Sequence, residues 1–218
     1  MYIIFDCDGV LIDSNQLKTE AFRNILKSYP AEAVEAFIDH HRRNGGVSRY
    51  VKLQSFLTET IGRDDHKEEL EYLLEQFGLE SARLYQKAAI TLGTLDALEH
   101  FKERLPMFVA SGSDEEELRA ALEKRGLSKY FQAIYGSPKP KHECVGLIFE
   151  QMEKNTDGIM VGDAITDYKA AEALGLKFVF VSSYSESVEM MVSLAKEKGF
   201  PCINNLSELP QLIEEGLE

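Results

Sequence analysis

Apolar positions along this chain follow two different rhythms. At the start, Tyr2-Ile3-Ile4-Phe5 is a short unbroken apolar run that meets Asp6, then Asp8 and Gly9. Such a run of β-formers predicts a strand buried on both faces, as in a parallel sheet. Over residues 13–90 the spacing turns helical and predicts no strand. Leu17, Ala21, Phe22, Ile25 and Leu26 share one helical face, and Tyr29-Pro30 ends that helix. Val34, Phe37 and Ile38 form a second stripe. After the break at Asn44-Gly45-Gly46, Tyr50, Leu53, Phe56 and Leu57 form a third. On a longer helix Leu70, Leu73, Leu74, Phe77, Leu84 and Tyr85 face inward. The segment reads as an inserted bundle of about four helices.

Beyond it, strands and helices alternate. Strands are predicted at 107–110, 133–136, 158–163, 177–181 and near Cys202-Ile203. Helices are predicted through Leu95 to Leu105, then from Ser113 as cap with Glu116 completing a capping box, at 144–152, at 170–174, near 188–198 and at the end. Alternation of this kind means a doubly wound, Rossmann-like parallel sheet, α/β in class, with right-handed crossovers. The expected division is an α/β core of residues 1–13 and 92–218 carrying a helical insertion at 14–91.

Composition narrows the function. An apolar fraction of 44% over 218 residues predicts a packed core. A net charge of −13 argues against nucleic acid or an anionic membrane as partner, but a metal and a few local cations can still receive a small anionic substrate. No apolar stretch is long enough to span a bilayer, and the opening run is too short and too acidic for a signal peptide. Cys7, Cys144 and Cys202 are odd in number and scattered, so a reducing, cytoplasmic compartment is expected. Strand alternation turns Cys7 away from its flanking aspartates. The oligomeric state is not legible.

Polar residues stand at four strand ends: Asp6 with Asp8, Ser111, a lysine among Lys139 and Lys141, and Asp163 with Asp167 one helical turn on. Open α/β sheets bind ligands at the carboxyl ends of their strands. Clustered carboxylates there call for a hard cation, and magnesium is the usual one. The set suits phosphoryl transfer through an aspartyl-phosphate. A carboxylate attacks phosphorus, cations and hydroxyls hold the other oxygens, and a second acid handles the proton.

Phe5-Asp6-Cys7-Asp8-Gly9-Val10-Leu11-Ile12-Asp13-Ser14 resembles the first motif of the haloacid dehalogenase-like superfamily. Val109-Ala110-Ser111-Gly112 resembles its second, Lys139-Pro140-Lys141 holds its lysine, and Val161-Gly162-Asp163-Ala164-Ile165-Thr166-Asp167 resembles its acidic fourth. The insertion resembles the small helical cap of the phosphoglycolate phosphatase and β-phosphoglucomutase branch. The resemblance implies roles. Asp6 is nucleophile and metal ligand, Asp8 is general acid/base and lends the metal its carbonyl, and Asp163 is a further ligand to Mg2+. Ser111 and Gly112 hold the phosphate. Lys141 is preferred over Lys139 as the catalytic lysine, and Asp167 orients the lysine or metal-bound waters.

In the cap, Gly45-Gly46-Val47-Ser48-Arg49 resembles the substrate-selecting loop of β-phosphoglucomutase. Arg49 is then expected to grip a second anionic group of the substrate. The plainer reading makes Ser48 a helix cap and Arg49 a solvated side chain. His41, Arg42 and Arg43 are expected to face solvent. Departures weigh against a mutase: Gln16-Leu17-Lys18 stands where that branch has a histidine, and Gly162-Asp163 replaces Glu-Asp. Asp8 argues against carbon–halogen cleavage, and also against carbon–phosphorus cleavage, for which Lys18 or Lys52 would be the candidate Schiff-base lysine of the cap. The implied activity is a magnesium-dependent phosphatase of a small phosphorylated metabolite, a sugar phosphate or a phosphoglycolate-like acid. A phosphomutase and a non-catalytic phospho-acceptor module are the alternatives. Hinges are expected near Asp13-Ser14 and Leu92-Gly93.

Overall fold

The opening apolar run forms β1 (Tyr2–Phe5), and every residue of it is buried. In the computed structural model, which describes residues 1–152 and 157–216, this strand lies in the middle of a six-stranded sheet. The others are β2 (Met107–Asp114), β3 (Ala133–Ser137), β4 (Gly158–Gly162), β5 (Lys177–Val181) and β6 (Cys202–Ile203). Their order is β3-β2-β1-β4-β5-β6 and every pairing is parallel. Because Phe5 pairs with Val109 on one side and Val161 on the other, the ends of β1, β2 and β4 open at one level. That register sets Asp6, Ser111 and Asp163 side by side.

Both faces of the sheet are dry. Ile3, Phe5, Val109 and Val161 pack on one side, and Tyr2, Ile4, Phe108 and Met160 on the other. Burying an aliphatic or phenyl side chain is worth roughly 1.5–3 kcal/mol, so the two apolar layers hold the strand ends rigidly. Beyond the four helices of the cap, the crossovers contain α5 (Thr94–Phe101), α6 (Glu115–Lys124), α7 (Lys141–Gln151), α8 (Ile165–Ala173) and α9 (Val188–Lys198), and α10 (Leu209–Glu215) follows β6.

The cap consists of α1 (Asn15–Leu26), α2 (Ala31–Arg43), α3 (Arg49–Ser55) and α4 (Lys67–Tyr85), with no strand among them. It has its own apolar cluster, in which Phe22, Phe37, Phe56 and Phe77 meet ring to ring. The chain leaves and re-enters the core side by side: the Asp13 amide donates to Ala89 and the Thr91 amide to Leu11. Among the described residues, no helix is long and apolar enough to cross a membrane.

Some expected boundaries shift. β2 runs on past Ser111 to Asp114, and it is Asp114, not Ser113, whose side chain caps α6 by accepting from the Glu116 and Glu117 amides. α7 starts at Lys141, immediately after Pro140, rather than at Cys144. Proline suits the residue just before a helix, since it has no N–H to leave unpaired. The third apolar stripe is one helix and a π-helical turn, Phe56–Thr60, rather than a single regular helix.

Candidate active site

At the end of β1 the chain turns tightly through Gly9, whose φ is +74°. A Cβ there would lie 2.3 Å from Asn15 Nδ2 and 2.5 Å from Asp163 Oδ2, so only glycine lets the loops close on each other. The turn leaves Asp6 at 2% exposure and Asp8 at 7%.

Lys141, at the start of α7, reaches the same spot. Its Nζ is 2.9 Å from Asp6 Oδ2 and 2.5 Å from Asp167 Oδ1, and all three side chains are buried. Asp167 also accepts through Oδ2 from the Asp163 and Ala164 amides, which fixes its carboxylate. Lys139 is half-exposed and lies 3.7 Å from Glu115, away from this centre. Burial pushes the Asp6 carboxyl up to about 7, against the pull of Lys141 and with the repulsion of Asp167 and Asp8 added. Burial, with the charges of Asp6 and Asp167, drives Asp163 well above the usual carboxylate range. The Lys141 ammonium is raised as well, for another reason: Asp167 and Asp6 outweigh its burial and hold its proton.

Asp6, Asp163 and Asp167 each offer a carboxylate oxygen within 4.8 Å of the others. One lysine does not neutralise them. Three hard oxygen donors, crowded and desolvated, fit a magnesium ion by both chemistry and charge. Asn15 donates to Asp163 Oδ2 at 2.6 Å and to the Tyr184 carbonyl, steadying one side of the cluster.

Asp8 faces a different set. Ser14 donates to its Oδ1 at 2.5 Å and Ser113 to its Oδ2 at 2.6 Å, while Lys18 forms an ion pair with it and Tyr85 hydrogen-bonds it from the end of α4. Ser111 is 3.4 Å from the same carboxylate. Burial pushes Asp8 up, but Lys18 and the hydroxyls overcome it and hold the group below its ordinary value. Two carboxylates two residues apart are thus tuned in opposite directions in the metal-free site: burial favours the neutral form of Asp6, and Lys18 with the hydroxyls favours the ionised form of Asp8. The Cys7 amide donates to Asp6 Oδ1 at 2.7 Å, and burial raises its thiol far from any thiolate role.

The cap closes over this centre with its Gly45-Gly46 turn. A Cβ on Gly112 would lie 2.0 Å from the Gly46 carbonyl oxygen, and Thr166 donates to the Gly45 carbonyl at 2.6 Å. Between cap and core lies a cavity of about 290 Å3, lined among others by Asp6, Asp8, Gly112, Lys18 and Lys52.

Arg49 is not left free toward that cavity. Ser48 caps α3, as the plainer reading expected, but Arg49 is half-buried and paired rather than solvated: its guanidinium binds Glu117 of α6 at 2.9 and 2.7 Å. His41 also departs from expectation. It is buried, with its ring edge-on to Phe22, while Arg42 turns to Glu186. Sequence reasoning missed Ser14, Asn15, Ser113 and Tyr85 as site residues and weighed Lys18 only as an amine for another reaction. Asn15 and Lys18 are one turn apart at the start of α1, next to the acidic motif, which was the available signal. Tyr85 gave none, since an inward tyrosine reads as core.

A sequence model of the family described as haloacid dehalogenase-like hydrolase matches residues 3–181. The chain is similar to a protein of Thermotoga maritima named phosphorylated carbohydrates phosphatase, 28% identical over 82% of this chain and 83% of that one. It is also similar to a phosphoglycolate phosphatase of Aquifex aeolicus, 29% identical over 80% of this chain and 81% of the other. Among solved structures, a hydrolase from Pseudomonas syringae superposes with a TM-score of 0.79 at 21% identity, covering 100% of this chain and 99% of that one.

Proposed function

This chain belongs to the haloacid dehalogenase-like hydrolase family, and from that premise we propose a magnesium-dependent phosphatase that hydrolyses a small phosphorylated metabolite through an aspartyl-phosphate on Asp6. The class, a phosphoric monoester hydrolase, rests on the family and on relatives named as phosphatases. The observation that carries the mechanism is the split environment of the two aspartates: Asp6 against Lys141, Asp163 and Asp167, and Asp8 against Lys18, Ser14 and Ser113.

The Asp6 carboxylate forms a bond to phosphorus while the ester oxygen leaves with its bonding pair, and Asp8, which must enter this half in its protonated form, delivers its proton to that oxygen. Asp8, now ionised, takes a proton from water as the water oxygen attacks the same phosphorus. The bond to Asp6 breaks, the carboxylate is restored and inorganic phosphate departs. Lys18 and the hydroxyls around Asp8 favour its ionised form and so serve the second half. Lys141 offsets the charge that Asp6 shares with the phosphoryl group, and Ser111 with the Gly112 backbone holds that group's oxygens. Asp6 and Asp163 would hold a magnesium ion with the Asp8 carbonyl, while Asp167, the third carboxylate of the cluster, stays on Lys141; the bound ion would supply charge neutralisation at the phosphoryl oxygens. The cap, residues 14–91, excludes bulk water from the core, residues 1–13 and 92–218, when closed.

A cavity of about 290 Å3 suits a small ester, either a sugar phosphate or a phosphoglycolate-like acid. The proposal includes a cytoplasmic location and no nucleic-acid or membrane partner, in keeping with the net charge of −13. The test is phosphate release from an aryl phosphate and a panel of phosphorylated metabolites with magnesium. Net release without an activating bisphosphate supports hydrolysis. Isomerisation that needs a bisphosphate points to a mutase instead. No turnover by folded protein would leave the non-catalytic phospho-acceptor module.

A further inference from the structure

Lys52 lies on α3 of the cap at 3% exposure, yet it lines the same cavity as Asp6 and Asp8. Among the described residues its Nζ hydrogen-bonds His41 only, 2.7 Å from Nδ1 and 3.5 Å from the carbonyl. Among the described residues it has no carboxylate within ion-pair distance. That is unusual in a chain with 37 acidic side chains and 24 basic ones. Buried lysines are normally paired, because an uncompensated desolvated charge is costly.

The neighbours sharpen the point. Lys18 and Lys141 press on Lys52 with like charge, while Asp8 and Glu186 are the acids it feels. Both acids are committed elsewhere. Asp8 is held by Lys18, Ser14 and Ser113, and Glu186 accepts from Thr19 at 3.0 and 2.9 Å and pairs with Arg42. His41 cannot supply the missing charge. Burial, with Lys52 and Lys18 beside it, pushes its imidazole down to about 2, so it stays neutral and accepts through Nδ1. Burial and Lys18 bring the Lys52 ammonium itself down to about 7, so an arriving anion would restore its charge.

Resting on the phosphatase reading above, we propose that Lys52 is the specificity-determining cation of the cap, receiving a second anionic group of the substrate, remote from the phosphoryl group at Asp6. With Arg49 held by Glu117, Lys52 takes the role the sequence suggested for Arg49. The enzyme then favours a short phosphorylated acid over a neutral sugar phosphate. His41 is a positioning residue, aiming the amine from one side.

Phosphoglycolate, ethane-1,2-diyl bisphosphate and ethyl phosphate differ only at the far carbon, which is a carboxylate, carries a second phosphate or is an uncharged methyl group. The wild-type enzyme with magnesium is expected to show a higher kcat/KM for at least one charged ester than for ethyl phosphate. In Lys52→Met that ratio is expected to fall on the order of 10- to 100-fold, mainly through KM, the size of a lost charge-assisted hydrogen bond. Whichever charged ester loses more identifies the anion. A wild-type enzyme without preference for charge overturns the assignment even if the variant fails to fold. So does a folded variant whose ratios are unchanged. Turnover of none of the three sinks the phosphatase reading and this assignment together, whereas turnover without preference sinks the assignment alone.

Discussion

Arg49 of the cap grips Glu117 of the core with both terminal nitrogens, at 2.9 and 2.7 Å, and Tyr50 beside it donates to Asp114 at 2.9 Å. These contacts join α3 to the start of α6 and exist only when the cap is down. Arg49→Ala and Glu117→Ala should therefore each weaken closure and lower kcat/KM for an aryl phosphate. Because the two side chains form one contact, the double variant should be little worse than either single one, with a coupling of about 1 kcal/mol. Additive losses in the cycle would contradict a closure contact.

Asp6→Asn should abolish turnover and leave the fold intact, since the amide keeps the shape but is no nucleophile. Acid-quenched wild-type protein mixed with labelled substrate should carry label that the variant lacks. Retained turnover in Asp6→Asn would refute the assignment of the nucleophile.

Lys141→Met removes the cation shared by Asp6 and Asp167 and leaves buried carboxylates facing each other. Breaking a buried pair costs about 3–5 kcal/mol. Urea unfolding of the metal-free protein should show that loss in the midpoint with an unchanged slope. A midpoint near that of the wild type would mean the pair is relieved by water.

Asp6 and Asp163 both carry raised carboxyl groups, Asp6 at about 7. A raised carboxyl binds its proton more tightly when folded, so it stabilises the protein below the ordinary carboxylate range and stops doing so as pH rises through about 7. Metal-free protein should thus melt at a lower temperature at about pH 8 than at about pH 6. Magnesium should raise the melting temperature most at the higher pH, on the order of 5 °C for a domain of this size. Equal stabilisation at both values would argue against a cation on these carboxylates.

Lys18 and its hydroxyl neighbours hold Asp8 below its ordinary value. Lys18→Met should raise that group, so the acidic limb of the pH–rate profile should move to higher pH. An unmoved limb would mean Asp8 is not the group titrating there.

The strand ends were legible in the order of residues, because each one is local: a buried apolar run stops at Asp6, at Ser111, at Asp163. The opposite tuning of Asp6 and Asp8 was not, because Lys18, Ser113 and Tyr85 come from α1, β2 and α4 and meet Asp8 only after folding. The same holds for Arg49, whose expected grip on substrate was overtaken by Glu117, 68 residues away.

By itself, the sequence determined the parallel core, the helical insertion and the carboxylates, since hydrophobic periodicity and short motifs depend on near neighbours. Only the tertiary structure decided which lysine faces Asp6, which arginine bridges cap to core and which buried cation lacks a partner. Those outcomes depend on how two separately packed units meet, and no local pattern encodes that distance.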